Sequence, residues 1–205
     1  YRLCPVTDLK GQVQDVTAAL QWIFDHIHQY VGDSEQISVT GDSAGAQLAF
    51  LVCAASANEA YRRSYEITSL SKPIKALGLT CPVSCLHEMA KSQDEMTREW
   101  MQVLYGGEPE QSSLWNCSDY ADILTDCKEL PSIYILTTKG DQKYYRQSLA
   151  LHDLMNRKQI EHVYREWESM ENKDLGHVFN VLYPACQDSR AANQEMVYFF
   201  LNVRR

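Results

Sequence analysis

Residues 41–45, with the sequence Gly-Asp-Ser-Ala-Gly, constrain the fold of this chain more than any other segment. They lie between residues 37–40, an apolar stretch typical of a short buried strand, and residues 47–57, an alanine-rich stretch typical of a helix. A serine at such a junction forms a nucleophile elbow, a sharp turn that strains the backbone and exposes the hydroxyl. Because the turn brings its flanks together, they must be small, and Gly41 and Gly45 meet that need. The alternative is an ordinary glycine-rich loop.

Apolar segments of strand and helix periodicity alternate along the rest of the chain. Strands are predicted at residues 74–81, 132–137 and 162–167. Helices are predicted from Val13 to near Gly32 and at residues 86–104, 147–157 and 191–203. This alternation predicts an α/β fold, a mostly parallel sheet with helices on both faces. The 205 residues suffice for a single domain, residues 1–205. Within it, the excursion at residues 86–127 is either a lid over the site or plain core packing.

Composition excludes several classes of function. The net charge of −8 argues against a nucleic-acid partner or an anionic membrane surface. No apolar run is long enough to span a membrane, so we expect no membrane partner. The seven cysteines lack the paired spacing of a zinc site, and their number favours a reducing cytoplasm over a secreted disulfide scaffold. Cys53 and Cys81 fall in apolar segments, where a free thiol behaves as a small hydrophobic residue.

The carboxyl ends of the predicted strands indicate which side chains can join Ser43. Reactive groups in such a sheet lie on loops beyond those ends. Asp141 follows the strand at 132–137, and His177 closes the loop after the strand at 162–167. Alternative acids are Asp119, Asp122, Asp126 and Asp153. The other histidines fall in predicted elements or in the excursion, and surface or packing roles are expected for them: His26, His28, His87, His152 and His162.

These residues suit nucleophilic catalysis without a metal or a cofactor. A serine hydroxyl is a poor nucleophile at neutral pH, so His177 would take its proton while Asp141 holds the imidazole in the right tautomer. The backbone N–H of Ala44, at a helix start, can donate to an oxyanion. Asp42 beside the nucleophile could tune the site or simply complement the helix start.

The chain resembles the alpha/beta hydrolase fold-3 esterases, the hormone-sensitive-lipase-like family. Residues 1–5, Tyr-Arg-Leu-Cys-Pro, are similar to its Tyr-Arg-Leu-Ala-Pro, and residues 41–45 are identical to its Gly-Asp-Ser-Ala-Gly. Residues 176–179, Gly-His-Val-Phe, resemble its Gly-His-X-Phe, while 130–131 and 140–141 also fit. The resemblance implies the α/β-hydrolase fold and a serine carboxylesterase.

The same resemblance assigns the roles in that enzyme. Ser43 would be the nucleophile, Asp141 the acid, His177 the base and Ala44 an oxyanion donor. The enzyme would cleave a small-molecule carboxylic ester through an acyl-enzyme intermediate. Two alternatives stay open: a non-catalytic relative that binds a small molecule, in which the histidine is typically lost, and a serine peptidase of the same fold.

One departure from the family concerns the start of the sequence. The family carries a His-Gly-Gly-Gly loop before Tyr-Arg-Leu, and this sequence opens at Tyr1. We therefore expect the N-terminal strands to be absent here, and a separate N-terminal segment to carry the rest of the oxyanion hole. The helix after the elbow, around Leu48, Phe50 and Leu51, should then be half uncovered, and another polypeptide or a second copy in a homo-oligomer should cover it.

Overall fold

The structure is a computed structural model that describes residues 1–127, 129–171 and 173–203. The chain divides into two compact units. The helical unit comprises residues 1–35, 50–73 and 85–130, and the sheet unit comprises residues 36–49, 74–84 and 131 onward. The assignment of residues 1–205 to a single domain stays a prediction, as does a lid role for residues 86–127.

A parallel sheet organises the sheet unit. Its strands are β1 (Val39–Asp42), β2 (Ala76–Thr80), β3 (Ser132–Thr137) and β4 (His162–Glu166), in the spatial order β1-β2-β3-β4. Every pair of neighbours is parallel. The predicted α/β fold with a parallel sheet is therefore confirmed. Within the described chain, β1 pairs on one side only, with β2.

The described residues form nine α-helices and three short 3₁₀ turns. The helices are α1 (Leu9–His26), α2 (Ala44–Ala57), α3 (Glu59–Tyr65), α4 (Leu86–Ala90), α5 (Glu95–Tyr105), α6 (Tyr120–Asp126), α7 (Tyr145–Arg157), α8 (Phe179–Leu182) and α9 (Gln187–Asn202). The 3₁₀ turns are Ile27–Tyr30, Pro109–Gln111 and Trp115–Cys117. Periodicity did not predict α3, α6 and α8, which are short.

The predicted helix at residues 86–104 is in fact two helices. Asp94 separates them, because its carboxylate accepts the N–H of Thr97 and so caps the start of α5. The buried side chains of α5 are Met101 and Tyr105. The apolar spacing along residues 86–104 places Met96 and Trp100 on the same side of a single helix as Leu86, but they are 56% and 54% exposed while Leu86 is buried. Because α5 begins anew at Asp94, its side chains face other directions than those of a helix continued from α4. The prediction of a single helix over residues 86–104 was wrong.

Aromatic side chains build the core of the helical unit. The rings of Phe50 and Tyr120 stack with their centroids 4.1 Å apart. Tyr65 is fully buried and its hydroxyl donates to the carbonyl oxygen of Cys117 at 3.0 Å. Burial raises the pKa of Tyr65 well above its ordinary value, so this phenol stays a neutral donor. The segment at 86–127 thus contributes core packing.

The helix after the elbow is covered. Leu48, Phe50 and Leu51 are 3%, 0% and 0% exposed. The expectation that this face would be half uncovered was wrong. For Phe50 the reason is the stacked ring of Tyr120 on α6, a helix that the sequence pattern did not reveal.

The core of the sheet unit lies against β3. Tyr134 and Leu136 share one face of β3 and cluster with buried side chains of α8 and α9, namely Phe179, Ala192 and Met196. The alternation along the strand turns Ile133 and Ile135 to the opposite face, where both are buried as well. A strand buried on both faces explains why a continuous apolar run predicted β3 to the residue.

Two observations concern the cysteines and the apolar character of the helices. All seven cysteines are free thiols. In the described ranges, no helix combines the length and the apolar character needed to cross a membrane. Cytoplasmic location stays a prediction.

Candidate active site

Ser43 occupies a strained turn between β1 and α2. Its φ is 53°, in the left-handed region that residues other than glycine rarely adopt. The Ser43 N–H donates to the carbonyl oxygen of Thr80, the last residue of β2, at 2.9 Å. The sheet therefore holds the strained backbone in place. Helix α2 begins at the next residue, Ala44, so the Ala44 N–H is among the first of the helix and has no partner within it.

Gly41 carries the steric requirement of this turn. A Cβ atom at Gly41 would lie 2.3 Å from the carbonyl oxygen and 2.4 Å from the carbonyl carbon of Gly45. At Gly45, by contrast, the Cβ position has open space among the described residues. A small residue was expected to be necessary at both positions for the same reason, but the backbone of a neighbouring residue approaches closely only at Gly41.

This contrast gives a matched pair of variants. We expect Gly41→Ala to lower the free energy of unfolding by about 1–3 kcal/mol, because backbone atoms must move to admit the methyl group. Gly45→Ala, within α2, should change it by less than about 0.5 kcal/mol. Urea denaturation of both variants measures the difference. Equal losses would show that the backbone approach at the elbow does not limit the choice of residue.

The Asp141 carboxylate is fully buried and faces His177. Its Oδ1 accepts the backbone N–H groups of Lys143 at 3.1 Å and Tyr144 at 3.0 Å. Its Oδ2 lies 2.8 Å from Nδ1 of His177. A carboxylate can only accept here, so the hydrogen-bond network assigns the proton to Nδ1 and leaves Nε2 as the acceptor. The His177 side chain is 28% exposed.

Two neighbours complete the surroundings of His177. The Tyr144 ring lies tilted beside the imidazole, with centroids 5.1 Å apart. The next residue, Val178, has φ 48°, and its N–H donates to Sγ of Cys81 at 3.5 Å. Sequence reasoning missed Tyr144 and Cys81. For Cys81 a signal existed, since it follows β2 at the same edge of the sheet as Ser43 and Asp141.

The rival aspartates have other partners. Asp119 caps α6 by accepting the Ala121 N–H at 2.9 Å. Asp122 lies 3.5 Å from Nε2 of His87, and its pKa is raised, chiefly by burial. Asp126 accepts the hydroxyl of Tyr61 at 3.0 Å. Asp153 lies on α7. The carboxylate that faces His177 is that of Asp141.

The other histidines have local contacts. Nδ1 of His152 lies 2.7 Å from Nε2 of His162, and the His26 ring stacks on Trp22. His87 stacks on Trp115. His28 lies in the 3₁₀ turn after α1 and is exposed. Across the described part of the chain, His177 hydrogen-bonds to Asp141, and no hydrogen bond joins it to the Ser43 hydroxyl.

One group of side chains has the composition of a metal site. Donor atoms of Cys81, Asp141 and His177 all lie within 4.8 Å of one another. A metal would need the thiolate, but burial raises the pKa of Cys81 to about 12. Oδ2 of Asp141 and Nδ1 of His177 are already joined by a hydrogen bond. These residues fit a hydrogen-bonded network better than a metal centre, and the expected absence of a metal stays a prediction.

Comparison with known proteins identifies the family. The family model described as the alpha/beta hydrolase fold, fold-3 family, matches residues 1–180. The chain belongs to the alpha/beta hydrolase fold-3 family. The resemblance read from the sequence is confirmed at this level, while the hormone-sensitive-lipase-like assignment stays a prediction.

Among sequence relatives, the chain is similar to the probable carboxylic ester hydrolase LipM of Mycobacterium tuberculosis. The two are 24% identical over 144 residues, which cover 69% of this chain and 32% of LipM. The chain therefore spans about a third of that curated relative.

Solved structures of esterases share the fold. Esterase B from Lactobacillus rhamnosis superposes with a TM-score of 0.89 and 26% identity over 99% of this chain and 64% of its own. The same esterase inhibited with a C4-C4 SN3 tributyrin phosphonate gives a TM-score of 0.89 and 27% identity, over 99% and 63% of the two chains. A hyperthermophilic esterase from Pyrobaculum calidifontis, at 21% identity and a TM-score of 0.68 over 98% and 62% of the chains, shares the fold alone.

Proposed function

We propose that this protein is a serine carboxylesterase in which Ser43, His177 and Asp141 form a catalytic triad. The observation that carries the proposal is the 2.8 Å hydrogen bond from His177 to the buried Asp141 carboxylate. It leaves Nε2 free to accept a proton, within the same unit that holds Ser43 in the strained elbow. Membership of a family with carboxylic ester hydrolases supports the reaction class.

The proposed reaction has two halves. Nε2 of His177 takes the Ser43 proton while the hydroxyl oxygen attacks the ester carbonyl, and the resulting imidazolium is stabilised by Asp141. The tetrahedral intermediate expels the alcohol, which receives the proton from Nε2, and leaves an acyl group on Ser43. Water then attacks the acyl-enzyme with His177 again as base. The Ser43 oxygen leaves and takes the proton back from Nε2, and the carboxylic acid departs.

Stabilising the tetrahedral oxyanion requires N–H donors. The Ala44 N–H at the start of α2 would supply one. We propose that another polypeptide segment pairs with the free edge of β1 and supplies a further donor from an H-G-G-like loop. Two observations support this proposal. Among the described residues β1 pairs on one side only, and the superposition covers only 64% of the esterase B chain. Because one oxyanion donor is worth roughly 10²–10³ in kcat, the 205-residue chain should hydrolyse esters that much faster once this segment is present.

The substrate proposal is a short-chain carboxylic ester. Esterase B is inhibited by a tributyrin phosphonate, and its likeness to this chain makes butyrate esters the first choice. We expect turnover of p-nitrophenyl butyrate and tributyrin, and none of peptide p-nitroanilides. Release of nitrophenol, butyrate and nitroaniline measures the three reactions. Faster cleavage of the peptides would favour the peptidase alternative, and saturable binding without turnover would favour the non-catalytic one.

A further inference from the structure

The Cys81 thiol lies at the point where the proposed acid and base meet. Cys81 follows β2 directly and is fully buried. Its backbone has φ 45°, and its N–H donates to the carbonyl oxygen of Leu136 in β3 at 2.7 Å. Two strands therefore fix a conformation that a residue with a side chain rarely adopts. Such an outlier points to a role for the side chain that it places.

The surroundings of Sγ are the two loops that carry the acid and the base. The N–H of Val178, the residue after His177, donates to Sγ at 3.5 Å. Sγ also lies within 4.8 Å of a carboxylate oxygen of Asp141 and of a ring nitrogen of His177. One sulfur atom thus contacts the loop that follows β4 and lies close to the carboxylate on the loop that follows β3. Val178 also has a positive φ, 48°, so the N–H that contacts the thiol belongs to a second residue in a strained conformation.

Protonation of the thiol decides what it can do there. Burial is the main cause that raises the pKa of Cys81 to about 12, and the nearby charge of Asp141 acts in the same direction. The group is therefore S–H at neutral pH, a weak donor and a weak acceptor rather than a nucleophile.

We propose that Cys81 is a positioning residue. Its S–H donates to Asp141 while its Sγ accepts from Val178, and the two contacts keep Asp141 and His177 at hydrogen-bonding distance from each other. The proposal rests on the proposed esterase function, because it concerns the same pair. Sulfur suits this role, since its hydrogen bonds are long and one atom can reach both loops without drawing them together. Alanine would leave the buried Val178 N–H without a partner and remove a donor from Asp141.

The test compares Cys81→Ala and Cys81→Ser with Cys53→Ala. Cys53 is a matched control, because it is also buried and its pKa is also raised to about 12 by burial, but it lies on α2. We expect Cys81→Ala to lower kcat on the order of tenfold while KM changes less than about twofold, because ground-state binding is untouched. Cys81→Ser should lower the logarithm of kcat by at most half as much as Cys81→Ala does. Cys53→Ala should leave kcat unchanged.

A spectroscopic readout does not depend on turnover. The Nδ1 proton of His177, hydrogen-bonded to a carboxylate, should give a far-downfield ¹H resonance. We expect it to broaden through faster exchange with water in Cys81→Ala, and to stay sharp in Cys53→Ala and largely sharp in Cys81→Ser. If the wild-type protein had no esterase activity while the variants still showed this pattern of resonances, the proposed function would be refuted and the positioning role would stand. An unchanged resonance in Cys81→Ala, or the same broadening in Cys53→Ala, would overturn the positioning role.

Discussion

Replacing Ser43 with alanine should lower kcat for p-nitrophenyl butyrate by on the order of 10⁶. The reason is that an alanine methyl group cannot form the acyl-enzyme, so both halves of the reaction lose their covalent intermediate. Folding should be little affected, because the contact that holds the turn is made by the backbone N–H of Ser43. Steady-state kinetics measure the loss, and circular dichroism checks the fold.

Ser113→Ala is the control for that variant. Ser113 is exposed and lies in the helical unit, so its replacement should leave kcat unchanged. If Ser43→Ala retained more than about a hundredth of the wild-type kcat, the hydroxyl would not be the nucleophile.

Asp141→Asn should lower kcat by about 10⁴ with little change in KM. Oδ1 accepts two backbone N–H groups, those of Lys143 and Tyr144, so the amide oxygen of asparagine must take that place. The amide NH₂ then faces Nδ1 of His177, where Oδ2 stood. A donor at that place stabilises the tautomer with the proton on Nε2, which cannot accept the proton of Ser43.

Asp122→Asn is the matched control for the acid. Asp122 also faces a histidine, His87 at 3.5 Å, but in the helical unit. Its replacement should leave kcat unchanged, and ¹⁵N NMR of the histidine side chains should report the altered tautomer of His177 only in Asp141→Asn. A loss in Asp122→Asn as large as that in Asp141→Asn would contradict the choice of acid.

The sheet and the elbow were predictable because their residues are constrained locally. A continuous apolar run gave β3, Ser132–Thr137, without error. β1 was placed two residues too early, since Gly41 and Asp42 of the elbow motif belong to the strand. The Asp141–His177 pair followed from a topological rule, because parallel strands bring the loops after their carboxyl ends to one edge.

Other features depend on contacts that no local pattern encodes. The split of residues 86–104 into α4 and α5 depends on a single capping side chain, Asp94, and it turned Met96 outward. The cover over Phe50 is Tyr120, from a seven-residue helix too short for a clear periodicity. Cys81 was predicted to be a small hydrophobic residue, and its burial fits that. Its contact with Val178 joins residues 97 apart and could not be read from either neighbourhood.

Covalent labelling with a fluorophosphonate tests the central claim most directly. A fluorophosphonate phosphonylates a serine only where a base and an oxyanion site activate it, so a single adduct reports the assembled site. We predict one adduct per chain, mapped by peptide mass spectrometry to Ser43, and no adduct in Ser43→Ala. An adduct on another residue, or ester hydrolysis that persists in protein with Ser43 unlabelled, would contradict the proposed site.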